Sequence, residues 1–212
     1  GCRITTVFEG CGTLVAMMKD GDSNPAAYFS CDTKFLDMVS DRFGPPTVVS
    51  ENKIILLVAK GNPKQLHKLS DLTKPGLKLG LCDPEKSALG DLTHQMLDRH
   101  KLRSSLQASG NVIVLASKGD ELVNAMQVGS LDGAVVYQSN ALASPEIGPT
   151  CDIVDLHDPL AIATQPFAVA KDTKHPHLLS RLRTTLSEPS SRQRFEDLGF
   201  TWKLPTPPET PR

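Results

Sequence analysis

The chain has 212 residues, enough for a substantial core, and its 39% hydrophobic and 22% charged content excludes the disordered and fibrous classes. Its 23 basic and 24 acidic residues are interspersed and leave a formal charge of −1, so it carries no basic stripe for nucleic acid, and no apolar run approaches the roughly 20 residues of a membrane-spanning helix. The five cysteines (Cys2, Cys11, Cys31, Cys82 and Cys151) contain no C-x-x-C pair, which sets aside a zinc ribbon or a thioredoxin-type motif.

Taken in chain order, short strands alternate with helices. Residues 3–8 (RITTVF) read as a strand, followed by the tight turn Glu9-Gly10-Cys11-Gly12 and a helix over 13–20 that Gly21 closes. A short strand over 27–30 leads to Asp32, an N-cap for a helix over 33–43 that ends at Gly44. Residues 53–59 (KIILLVA) form a continuous apolar run suited to a strand buried on both faces. A turn at Gly61-Asn62-Pro63 opens a helix to about residue 72, stopped by Lys74-Pro75-Gly76.

A second series follows: a strand over 77–81, a helix capped by Ser87 and running to about 101, a strand over 111–116, a helix over 119–128 and a strand over 132–137. After a loop rich in Ala, Ser and Pro come a strand-like stretch over 161–170 and two helices reaching residue 196, with Phe200 and Trp202 as anchors. The tail 206–212, rich in proline, reads as a disordered end. This alternation predicts an α/β architecture with mostly parallel sheets. Two lobes with two crossovers follow, the first over 1–58 plus 165–205 and the second over 59–164, with a ligand cleft between them.

Three strand-to-helix turns place glycine or small hydroxyl residues at a helix start: Gly10-Cys11-Gly12-Thr13, the run from Asp83 through Ser87 to Gly90, and Ser117-Lys118-Gly119-Asp120. Free backbone N–H groups at such positions form an anion receptor. The histidines show no metal-binding spacing, and Asp83 with Glu85 lacks an accompanying nucleophile.

The segments FEGCGTLVAMMKDG, AYFSCD, KIILLVAKGNPK, SDLTKPGLKLGLCDPEKSALG, VGSLDGAVVYQSNA and RFEDLGFTW, in that order, resemble the molybdate/tungstate-binding proteins of ABC importers, which are type II periplasmic solute-binding proteins. The resemblance extends to Trp202 and is nearest to a subgroup in which the module is duplicated, this chain matching the second copy. It implies a tetrahedral oxyanion gripped between hinged lobes, an ABC permease as partner, a periplasmic or extracytoplasmic location, no cofactor and no catalysis. The oxyanion carries no proton, so the site uses donors only.

Carried over residue by residue, the resemblance puts Cys11 where the family has a serine, with Gly12 and Thr13 beside it. Leu89 and Gly119 become backbone donors from lobe two, Ser87 adds a hydroxyl and Tyr137 is the phenol donor. It also implies that a first strand and helix of lobe one precede residue 3 in the family and are missing here. Weak oxyanion binding and a strand-swapped homodimer are the expected consequences. Cys11, Cys31 and Cys82 each follow a strand end, which leaves open three buried thiols, a Cys11–Cys31 disulfide, or a soft-metal site. Two rival readings are the effector domain of a LysR-type regulator and an enzyme using Cys11 at a helix start.

Overall fold

The computed structural model describes residues 3–205; the expected disordered tail at 206–212 and Cys2 lie outside the described residues. The strand expected over 3–8 does not form. These residues take no regular secondary structure, and Ile4, Val7 and Phe8 are exposed at 67%, 54% and 80%. β-branched residues favour a strand only when a neighbouring edge and a face to cover are present.

Helix α1 (Cys11–Asp20) buries Cys11, Val15 and Met18, one stripe at helical spacing, and ends on Gly21 at φ 87° as expected. Strand β1 (Ala27–Phe29) leads to α2 (Thr33–Asp37), where the Asp32 carboxylate accepts the Lys34 N–H at 3.0 Å. The helix is shorter than expected and gives way to turns over 38–42.

Strand β2 (Thr47–Ala59) is nearly twice as long as the apolar run that announced it. Its partners change part-way. Residues 47–53 pair with β7 (Ile162–Val169), and Ser50 and Glu51 also pair with β8 (Thr201–Trp202). Residues 54–58 pair with β5 (Gly133–Tyr137), and 55–59 with β6 (Cys151–Asp155). One strand thereby serves two sheets, the first completed by β1 against β7 and the second by β3 (Leu79–Cys82) and β4 (Val112–Ala116).

Only β3 pairs in parallel, with β4 and with β5; the other pairings of described strands are antiparallel. The α/β class holds, and the expectation of mostly parallel sheets is corrected. Parallel neighbours need a crossover helix. That condition is met by α3 (Ala88–Arg99) with α4 (Arg103–Ser109) between β3 and β4, and by α5 (Gly119–Gln127) between β4 and β5. The helix expected over 63–72 is reduced to a 3-10 turn at Leu69–Thr73, because Gln65 takes φ 53° and interrupts any helical run.

Two hydrophobic clusters result. The larger is centred on Ile54, Ile55, Leu56, Leu57 and Val58, all fully buried, between α3 and α5. The smaller gathers Val15, Met18, Tyr28, Phe35, Leu36 and Phe43 and includes Ala88 from the start of α3. Short helices α6 (Gln138–Leu142) and α7 (Ile147–Thr150) finish the second sheet. Helices α8 (Pro176–Leu186) and α9 (Pro189–Asp197) return to the first. There Phe195 meets Phe29, Phe200 and Trp202 at centroid distances of 6.1, 5.1 and 5.3 Å, so the expected C-terminal anchors are in place.

Candidate functional site

The three helix starts singled out in the sequence meet at one junction. The Gly12 N–H donates to the Lys86 carbonyl at 3.0 Å, joining the first turn of α1 to the loop before α3. A Cβ at Gly12 would lie 1.9 Å from the Glu85 carbonyl oxygen, and one at Gly10 would lie 2.3 Å from that of Lys86 and 2.9 Å from that of Ser117, just before α5. Only glycine permits backbones to approach this closely. A Cβ on Gly119 would stand 3.3 Å from the Leu89 side chain, so the starts of α3 and α5 also touch.

Of the expected ligand residues, Cys11, Ser87, Leu89 and Tyr137 are all buried at or beside this junction. Thr13, half-buried, joins them only by sequence adjacency. The Tyr137 hydroxyl is buried with no hydrogen-bond partner. Burial, followed by the nearby Cys31 and Cys11 sulfurs, holds that phenol well above its ordinary pKa, so it stays a neutral donor. The junction is shut: the Gly12 N–H is already engaged. The two best-formed cavities among the described residues lie elsewhere, the larger about 710 Å³ along α8 and α9 beside Pro176, Leu179 and Arg183.

The cysteines divide. The Cys11 sulfur accepts the Cys31 backbone N–H at 3.2 Å and lies 3.8 Å from the Ser30 hydroxyl. The Cys31 thiol donates to it most strongly, and with further help from Ser30 and Tyr28 this pulls Cys11 down to about 6 against the opposing effect of burial. The same contact pushes Cys31 up. Cys82 sits in the larger core with Ser87 beside it, pushed up to about 12 by burial, and Cys151 is also buried in that core. Cys11, Cys31, Cys82 and Cys151 are free thiols. Among the described residues no three His, Cys, Asp or Glu side chains are arranged to hold a metal ion.

Sequence reasoning did not find Tyr28 or Ser30 as neighbours of Cys11. The signal was present, since alternate positions 28 and 30 of the AYFS run share one face. Nor did it find the ion pairs that cross the junction, Lys34–Asp91 at 2.6 Å and Glu9–Lys118 at 3.2 Å.

A model of the family described as bacterial extracellular solute-binding protein matches residues 1–201. The chain belongs to that family. Among its solute-binding relatives, the molybdate-binding protein ModA of Mycobacterium tuberculosis is 26% identical over 204 residues, covering 94% of this chain and 74% of that protein. The periplasmic molybdate-binding protein of Azotobacter vinelandii superposes with a TM-score of 0.74 at 15% identity, covering 92% of this chain and 86% of that one. The sulfate-binding protein SubI of M. tuberculosis reaches 0.72 at 16% identity, covering 90% and 73%. The solute-binding fold is therefore established, and the named solutes of these relatives differ.

Proposed function

We propose that this chain is the solute-capturing component of an ABC-type importer and holds a tetrahedral oxyanion of the molybdate or tungstate kind outside the cytoplasm. The observation that carries this reading is the meeting of three helix starts beside the buried, unpartnered Tyr137 phenol. Such an anion accepts hydrogen bonds and donates none, so uncharged N–H and O–H groups from two sides fit it. The ligand set is the Cys11 backbone N–H and Thr13 from one lobe with Ser87, Leu89, Gly119 and Tyr137 from the other; the Gly12 N–H, held by the Lys86 carbonyl, joins it only when that bond opens.

In this reading the lobes span 1–58 plus 165–205 and 59–164, and the partner change within β2 at Lys53 and Ile54 supports a hinge close to the first boundary. The shut junction is the closed form, and the permease reads that shape. The one-sided pairing of β1, with β7 alone among the described strands, supports a strand-exchanged homodimer, which light scattering tests directly.

A thermal-shift and calorimetry panel of molybdate, tungstate, sulfate and phosphate tests the ligand. An anion present at 100 times its dissociation constant stabilises by about 2.7 kcal/mol. Stabilisation by molybdate and tungstate ahead of sulfate is the expected result. No response to any of the four overturns the reading.

A further inference from the structure

Neither the family resemblance nor the oxyanion reading uses the contact between Cys11 and Cys31. Cys11 is buried in the first turn of α1, and Cys31 is half-buried directly after β1. Twenty residues apart in sequence, they are brought together so that the Cys31 backbone N–H donates to the Cys11 sulfur at 3.2 Å. The buried, unpartnered Tyr137 hydroxyl lies within electrostatic reach of both sulfurs. The Ser30 hydroxyl, which donates to the Asp32 carbonyl at 2.7 Å, lies 3.8 Å from the sulfur.

We infer that Cys11 and Cys31 form a redox-modification site at the oxyanion junction: a small peroxide converts the dithiol to a disulfide, and the two states differ in their affinity for the oxyanion. The disulfide half stands on the 3.2 Å approach of the Cys31 N–H to the Cys11 sulfur; the affinity half rests on the oxyanion reading.

The chemistry balances without a metal. The Cys11 thiolate attacks one peroxide oxygen, the O–O bond breaks, and hydroxide leaves while Cys11 becomes a sulfenic acid. The Cys31 thiol gives up its proton, its sulfur attacks the Cys11 sulfur, and the S–O bond breaks. Counted from the dithiol, the two sulfurs lose two electrons and two protons, and one hydrogen peroxide becomes two waters. Cys11 is poised for the first step, because its sulfur is held as thiolate near neutral pH. A peroxide scarcely larger than water suits a sulfur this well buried.

Removing the charge changes anion binding. Asp32 and Asp120 already place negative charge near Cys31, and a thiolate a few ångströms from a dianion adds repulsion that a neutral disulfide does not. Coulomb repulsion at an effective dielectric constant of about 20 amounts to orders of magnitude in affinity for such a pair, and screening by water and salt leaves a loss of at least about tenfold in the reduced form.

The test uses the full chain, treated with hydrogen peroxide or with a thiol reductant. Free thiols are then trapped with N-ethylmaleimide and peptides are mapped by mass spectrometry. Wild type is expected to join the peptides carrying Cys11 and Cys31, and Cys31→Ser to stop at a sulfenic acid that dimedone labels on Cys11. Cys82→Ser is expected to behave as wild type. Wild-type peptides carrying two trapped thiols after peroxide, or an over-oxidised Cys11 with no link to Cys31, overturn the proposal without reliance on any variant. Calorimetry with molybdate on the reduced and oxidised chains reads the second half. A disulfide with about tenfold higher affinity supports it, and equal measurable affinities overturn it. A disulfide in a chain that binds none of the four anions in either state upholds the redox pair and overturns the oxyanion reading.

Discussion

At the scale of single residues, the surroundings of Cys11 change its chemistry in the direction of reactivity. The Cys31 thiol, and after it the Cys31 N–H, Ser30 and Tyr28, bring it down to about 6 from an ordinary value of 9.0. A depressed folded-state value means that the folded chain sheds the proton before the unfolded chain does. Stability therefore rises with pH between about 6 and 9, and the gain is lost as pH falls through about 6. Thiolate absorbance titrated on the wild type is expected to show a midpoint near 6 that Cys11→Ser removes, together with the pH slope of denaturant stability. A midpoint near the ordinary thiol value would show that Cys31 does not donate to Cys11. Tyr137→Phe separates binding from folding. Its hydroxyl has no internal partner, so its loss is expected to leave thermal stability unchanged or slightly raised. Oxyanion affinity falls about tenfold, the worth of one hydrogen bond to a charged acceptor. Unchanged affinity in calorimetry would remove Tyr137 from the ligand set.

At the scale of elements, close backbone approaches are the sensitive points. Gly12→Ala puts a Cβ 1.9 Å from the Glu85 carbonyl, and backbone on both sides leaves no flexible side chain to yield. The start of α1 must separate from the loop before α3, at a cost of about 1–3 kcal/mol. A lower midpoint in denaturant and a larger radius by solution scattering are the expected readouts. The loop between β6 and β7 gives a second case. Asp158 is buried, accepts the Leu160 N–H at 2.8 Å and meets the His100 ring, and these partners outweigh burial to hold its carboxyl below the usual range. Its contribution is complete above the ordinary carboxylate pKa and disappears as pH falls below it. Asp158→Ala is expected to lower stability at neutral pH by about 1–3 kcal/mol and by less in acid. An equal loss at both pH values would show that the charge plays no part.

The same scale shows what the sequence could disclose. The starts of α3 and α5 were legible to a residue or two, because capping and glycine positions are local signals. The first half of β2 was not: Ser50, Glu51 and Asn52 look like loop residues, although Ser50 and Asn52 are buried, held by Gln165 at 2.8 Å and Ser139 at 2.7 Å. Residues 3–8 erred the other way, with strand chemistry but no regular structure. The candidate ligand residues could be picked out one at a time through the family resemblance, several of them at helix-start turns that glycine and small residues mark. That Cys11 would rest against Cys31, or that Gly12 would donate to Lys86, depends on contacts made only when distant segments fold together.

At the scale of the molecule, the shut junction is held by its own groups. Lys34–Asp91 and Glu9–Lys118 span it beside the Gly12–Lys86 bond. Both ion pairs are partly exposed, with Asp91 the most covered of the four side chains, so each contributes about 0–1 kcal/mol and is screened by salt. The double substitution Lys34→Ala with Glu9→Gln is expected to enlarge the scattering radius at low salt and to abolish its increase with added salt. A wild-type radius that does not respond to salt would show that these pairs do not hold the junction.

The uninterrupted run of β2 through both sheets carries a further consequence. Unravelling either sheet strips hydrogen bonds from a strand the other sheet also needs, so neither half has an independent melting point. Heat or urea should take the chain apart in a single cooperative event, with fluorescence from Trp202 in the first sheet and far-ultraviolet dichroism from the whole backbone falling together.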